Sequence, residues 1–85
     1  MANIEIYATP TCGYCHAAKR LLSSKDANYT EYDLFRVPDK RREMMQRARG
    51  RRTVPQIFID GAHIGGCNEL YALERAGKLD PLLAG

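Results

Sequence analysis

"IEIYATPTCGYCHAAKRLL", residues 4–22, decides the fold. Its first five residues alternate and include β-branched and aromatic side chains, the pattern of a strand. Pro10 and Gly13 punctuate a loop behind it. Ala17, Ala18, Leu21 and Leu22 then recur at helical spacing, so a helix is expected from about residue 14 to residue 25. Two cysteines three apart, Cys12 and Cys15, thus fall in the loop leaving a strand and in the first turn of a helix. A metal clip, a structural disulfide and a working redox pair are the meanings such a pair can have.

Working outward, "NYTEYDL" (28–34) reads as a second strand, and a βαβ crossover makes two strands parallel and right-handed. Pro38 suits the start of a helix whose buried stripe is Met44, Met45 and Ala48, up to Gly50. "QIFID" (56–60) is a third strand. Asp60-Gly61 is a tight hairpin signal, returning through "AHI" (62–64) as a fourth. Asn68 is expected to cap a last helix, "ELYALERA", stopped by Gly77. The order β-α-β-α-β-β-α predicts an α/β fold, a four-stranded mixed sheet flanked by three helices.

The chain of 85 residues is expected to form one domain over 1–85, and its 45% apolar share argues against disorder. No apolar run approaches the roughly 18 residues of a membrane span. "MANIEIYATP" lacks the basic stretch and apolar core of a signal peptide. The expectation is a cytoplasmic monomer with no membrane contact, its thiols kept reduced.

Charge is unevenly placed. Residues 36–52 hold eight basic and two acidic side chains, net +6 against +3 for the whole chain, so the remainder carries −3. A basic cluster is the footprint of nucleic-acid binding, but no recognised nucleic-acid motif accompanies it. A solvated face that attracts anionic ligands or acidic proteins is expected instead, with no nucleic acid.

The placement of the cysteines favours redox work. A structural zinc site takes four ligands. Beyond Cys12 and Cys15 there are only Cys67, His16 and His63, with no second Cys-x-x-Cys and no histidine pair at finger spacing, so no metal site is expected. Thiolate is the attacking species, and unpaired amides at a helix N-terminus favour an anion beside them. Cys12 is therefore expected to attack a disulfide, and Cys15, covered in the first turn, to resolve the mixed disulfide. Tyr14 is expected to line the substrate groove, His16 to be solvated and His63 to be structural.

Three motifs together, "CGYC" (12–15), "TVPQIFID" (53–60) and "IGGCNEL" (64–70), resemble the small dithiol glutaredoxins, bacterial members in particular, and "DPLL" near the C-terminus matches them too. The resemblance implies a thioredoxin-like fold and glutathione-dependent thiol–disulfide exchange, with Cys12 the nucleophile and Cys15 the resolving thiol. It implies a cis bond at Pro55 and an exposed Val54 backbone, in Thr53-Val54-Pro55, with which glutathione pairs as an added strand would. It implies that Gly65, Gly66, Cys67 and Asn68 hold the γ-glutamyl end, the amides of Cys67 and Asn68 suiting a carboxylate, with Cys67 outside the redox cycle. Protein substrates by resemblance include ribonucleotide reductase.

Three positions depart from the family pattern. Gly13 stands where proline is common, and in the family glycine there is associated with a [2Fe–2S] cluster bridging two protomers, with Cys12 as this chain's ligand. Thr9 stands where a lysine often supports the thiolate or a glutathione carboxylate; Arg36, Arg49, Arg51 and Arg52 are candidates to replace it. Asn68 is neutral where the γ-glutamyl loop usually turns acidic. The alternatives to a glutathione-dependent enzyme are a cluster-bridged carrier or sensor, and an electron carrier reduced by thioredoxin reductase.

Overall fold

A computed structural model describes residues 2–85. Four strands, β1 (Ile4–Ala8), β2 (Thr30–Asp33), β3 (Gln56–Ile59) and β4 (Ala62–Gly65), form one sheet in the order β2-β1-β3-β4. β1 and β2 are parallel, with Glu5 opposite Thr30; β1–β3 and β3–β4 are antiparallel. The mixed four-stranded sheet is as the element order predicts. Asp60 and Gly61 form the two-residue turn between β3 and β4, both at positive φ (51° and 81°), as a tight hairpin of this twist needs.

The period of two in β1 sends its side chains to two cores. Ile4, Ile6 and Ala8 face helices α1 (Gly13–Ser24), α3 (Cys67–Arg75) and α4 (Leu79–Ala84), meeting Ala18, Leu21, Leu22, Leu70 and Leu79. Tyr7, with Phe58 of β3, faces the other way, onto Leu34 and onto Met44 and Ala48 of the α2 region (Lys40–Arg47). Helices cover both faces, so both sides of the central strands are largely covered.

Three expectations need correction. The first is the helix count: the described residues form four helices, not three. Leu79–Ala84 is a short fourth helix over "LDPLLA". Pro81 is tolerated because the first turn of a helix has amides without partners anyway. Leu79 is fully buried, and Lys25 at the end of α1 bonds both Glu74 (2.8 Å) and Asp80 (2.9 Å). The second concerns Asn68, which does not cap α3. Gly66 does, because the Glu69 carboxylate accepts the Gly66 amide at 2.6 Å and starts the helix two residues earlier. The third is that α2 proper begins at Lys40 rather than Pro38. The Pro38 carbonyl accepts from Arg41 N–H at 3.0 Å and so winds the chain into it.

The basic segment is also less free than its charge suggests. Arg47 bonds Glu5 at 2.9 and 3.1 Å and the Tyr7 hydroxyl at 2.8 Å. Tyr7 in turn donates to Glu43, which Lys40 holds at 3.1 Å, and Tyr32 donates to Glu5 at 2.9 Å. The network ties β1 and β2 to α2. Burial and the Glu43 carboxylate push the Tyr7 hydroxyl up to about 12, so it stays a donor at any ordinary pH.

Candidate active site

The parallel βαβ unit places the end of β1 beneath the start of α1, and both cysteines lie there. Cys12 is the N-cap of α1, with extended backbone (φ −96°, ψ 114°), and its sulfur accepts the Cys15 amide at 3.2 Å. A serine or aspartate oxygen does this job at most helix starts; here a sulfur does, so the reactive atom sits where unpaired helix amides converge. The same Sγ–H lies 3.7 Å from the Val54 carbonyl, to which it donates. Cys12 is half-buried, Cys15 completely buried. Burial first, then its hydrogen bond with Cys12, pushes the Cys15 thiol up to about 12. Two chemically identical groups three residues apart are thus made unequal by one turn of helix.

Beside Cys12 opens a cleft of about 280 Å³. Of the positions that the resemblance assigns to glutathione, all but Gly65 lie on its wall. Thr53, Val54 and Pro55 come from the loop ahead of β3, where the Val54–Pro55 bond is cis as the resemblance implies. Gly66, Cys67 and Asn68 come from the start of α3, and Tyr14, 66% exposed, from the first turn of α1. The two loops touch: a Cβ on Gly66 would stand 3.1 Å from the Pro55 carbonyl, so glycine here lets the two loops approach without a shift of the Pro55 backbone. Cys67 is buried, and burial pushes its thiol up, which keeps it protonated beside the cleft.

Two further residues, Glu69 and Arg51, line the cleft. Glu69 follows Asn68 at the end of the γ-glutamyl loop, and a glutamate three residues after a glycine is the acceptor position of a capping box. Arg51 is one of the four candidate cations. Of those four it alone lines the cleft, while Arg49 lies with Arg47 and His63 in a different groove. Arg51 and Glu69 bond at 3.2 Å, and the Gly66 amide, more than Arg51, holds the Glu69 carboxyl below the usual range.

The remaining expected residues stand apart from the cleft. His16 is exposed, its ring nitrogen 2.8 Å from the Pro10 carbonyl. His63 meets the Gln56 side chain at 2.7 Å and tilts against Phe58; burial and then Arg51 and Arg49 hold its pKa down. Thr9 is buried and contributes its backbone near Cys15. Added bulk at Gly13 would meet nothing within 4 Å. A cluster needs several thiolates, yet among the three cysteines only Cys12 escapes full or near-full burial. One chain alone therefore does not furnish a cluster site.

Comparison with known proteins returns one family. The family model described as Glutaredoxin matches residues 4–64. "Glutaredoxin 3" of Escherichia coli strain K12 is 59% identical over 83 residues, covering 98% of this chain and 99% of the relative. Among solved structures, the buckwheat glutaredoxin–glutathione complex superposes with a TM-score of 0.89 at 35% identity, covering 98% of this chain and 77% of that one. The solution structure of glutaredoxin from Brucella melitensis gives 0.83 at 52% identity, over 98% and 89%. The thioredoxin-like fold expected from the motifs is the fold of these neighbours.

Proposed function

This chain belongs to the glutaredoxin family and is a thiol–disulfide oxidoreductase, and from that premise we propose that glutathione is its reductant, with Cys12 the nucleophile and Cys15 the resolving thiol. The observation that carries the reading is the unequal burial of the two sulfurs. Cys12 is half-buried at a helix start, its sulfur 3.7 Å from the carbonyl of Val54 on the cleft wall, and Cys15 is fully buried as a thiol.

The chemistry follows from that inequality. The Cys12 thiolate attacks a glutathione mixed disulfide at the glutathionyl sulfur; the target's sulfur leaves as thiolate and is protonated. Cys12 then carries glutathione, whose cysteinyl backbone pairs with Val54 while the amides of Cys67 and Asn68 take its γ-glutamyl carboxylate. A second glutathione attacks the glutathionyl sulfur, releases glutathione disulfide and restores Cys12. On a protein disulfide, the mixed disulfide forms between Cys12 and the protein. Cys15 loses its proton, attacks the Cys12 sulfur and releases the reduced protein, leaving a Cys12–Cys15 disulfide for two glutathiones to reduce. Ribonucleotide reductase is a candidate protein substrate, and the reducing cytoplasm is the compartment in which this direction runs.

The test is a coupled assay on a small glutathione mixed disulfide, with glutathione and glutathione reductase as the electron source. Cys12→Ser is expected to abolish turnover there and on a protein disulfide. Cys15→Ser is expected to keep the first activity and lose the second. Equal loss in both assays for Cys15→Ser would overturn the division of labour. Turnover with thioredoxin reductase and none with glutathione would overturn the choice of reductant.

A further inference from the structure

Among the described residues four large apolar side chains stand exposed: Tyr14, Phe35, Val37 and Leu82. Leu82 lies on α4, whose Leu83 carbonyl accepts the Ala2 amide ahead of β1. The other three belong to the opposite end of the sheet, beyond Ala8, where Cys12 lies. Tyr14 lines the cleft; Phe35 and Val37, 60% and 48% exposed, do not. Their loop follows β2 and is fastened to the end of β1, the Leu34 amide donating to the Ala8 carbonyl at 2.9 Å. Leu34 itself is buried in the core against which Val54 packs, the residue whose carbonyl accepts from Cys12. The loop is also braced from within. The Asp33 carboxylate accepts Phe35 N–H at 2.9 Å, and the Asp33 carbonyl accepts Arg36 and Val37 N–H at 3.1 and 3.0 Å. Two apolar side chains are thus held out into water on a fixed backbone, and exposed apolar surface rimmed by polar groups marks a place of interaction.

The rim is basic. Arg36 stands between Phe35 and Val37, and Arg41 and Arg42 line a groove that begins at Pro38. Arg41 donates to the Arg52 carbonyl at 3.2 Å, and Thr53 and Val54 of the cleft wall come next in the chain, which carries the surface toward the cleft. Arg36, Arg41, Arg42 and Arg52 are exposed, and among the described residues none pairs with a carboxylate, unlike Lys40, Arg47 and Arg51. Asp39 is the one acid between residues 35 and 42. We propose that the Phe35–Val37 loop and these four arginines are a docking surface for protein substrates, and that it takes a segment bearing an apolar side chain and acidic residues beside the disulfide to be reduced. The apolar side chain packs on Phe35 and Val37, and the carboxylates meet guanidinium forks. The backbone is already ordered, so docking has little further order to impose. A second copy of this chain does not fit, because a two-fold contact here would set arginine against arginine. The inference rests on the reading that the enzyme reduces protein disulfides.

Peptides closed by one intramolecular disulfide separate the two features. The first carries a leucine and aspartates beside its first cysteine. In the second, serine replaces the leucine; in the third, lysines replace the aspartates. The readout is kcat/KM for the peptide above the background of glutathione alone, which reports the first half-reaction of the ping-pong cycle. The wild-type protein is expected to favour the first peptide over each of the others about tenfold, the equivalent of about 1.4 kcal/mol. Phe35→Ser combined with Val37→Ser is expected to treat the leucine and serine peptides alike while still rejecting the lysine one. Arg36→Glu combined with Arg42→Glu is expected to lose the charge preference and keep the preference for leucine. Both variants are expected to reduce a small glutathione mixed disulfide at close to the wild-type kcat/KM. Equal turnover of the peptides by the wild-type protein, or an unchanged preference in either variant, overturns the docking surface. So does an equal loss on the small mixed disulfide, which would make the loop part of the frame around Cys12. Tight binding of a single-stranded oligonucleotide that the arginine substitutions abolish would give the surface to nucleic acid instead, and a wild-type dimer split by the serine substitutions would give it to a second copy. Turnover of the small mixed disulfide with none of any peptide would strike the protein-disulfide reading itself, and the docking surface with it.

Discussion

Arg47→Met isolates the charge in the network under α2. The guanidinium lies 4.1 Å over the Phe58 ring and bonds both oxygens of Glu5. Methionine keeps a flexible apolar stem against Phe58 and removes the cation. The side chains are 29% and 16% exposed, so the pair is neither dry nor free in water. Hydrogen bonds to charged groups contribute about 1.5–3 kcal/mol, and fully exposed pairs about 0–1, which puts this bidentate pair near 2 kcal/mol. In a domain of this size each kcal/mol moves Tm by about 4–8 °C, so a fall of about 8–16 °C is expected. The pH dependence is the sharper test. Arg47, as the largest influence, holds the Glu5 carboxyl below its ordinary 4.5. A depressed carboxyl contributes stability above its unfolded pKa and loses that contribution as pH falls through the folded value. The gap between wild type and Arg47→Met in urea unfolding is therefore widest at neutral pH and narrows below about pH 4.5. An equal gap at pH 7 and pH 3, or a Tm change under about 3 °C, refutes the assignment.

Two further outcomes follow from the site. With its thiol pushed up to about 12, chiefly by burial, Cys15 stays protonated at pH 7. Iodoacetamide should therefore give one adduct on the native reduced protein by mass spectrometry, at Cys12, with a second only above about pH 10 or after unfolding; two adducts at one rate at pH 7 would contradict the burial. Gly13 is the first residue of α1, where proline is favoured and where added bulk meets nothing. Gly13→Pro is accordingly expected to gain about 0.4–1 kcal/mol, read as a higher urea midpoint; a lower midpoint would mean that the Gly13 amide bonds something the proline cannot.

Local signals carried the fold. The alternation of Ile4, Ile6 and Ala8, the Ala18–Leu22 stripe and Asp60-Gly61 each specify geometry within a few residues, and the sheet follows from their order. What was illegible depends on partners far along the chain. Glu5 alternates with isoleucines and reads as a solvent residue, but α2 covers that face and brings Arg47 to it from 42 positions away. Arg47 and Lys40 are drawn out of the basic surface in the same way, onto Glu5 and Glu43. Glu69 carries a local signal, but Asn68, two residues past Gly66, is by residue type an equally good cap. The Cys12–Cys15 site, by contrast, needed only the strand, the loop and the helix start. The cleft beside it needed the motif resemblance to connect residues 53–55 and 66–68 with position 12.

The order of events at the two sulfurs is written in tertiary structure rather than in the Cys-Gly-Tyr-Cys motif. A free peptide of residues 9–20 would contain both thiols, equally wet, with nothing to make one wait for the other. Only the folded sheet, by closing over Cys15, turns a symmetric pair into a sequence in time. Partial opening around α1 would therefore scramble the timing of the reaction before it removed either reactive atom.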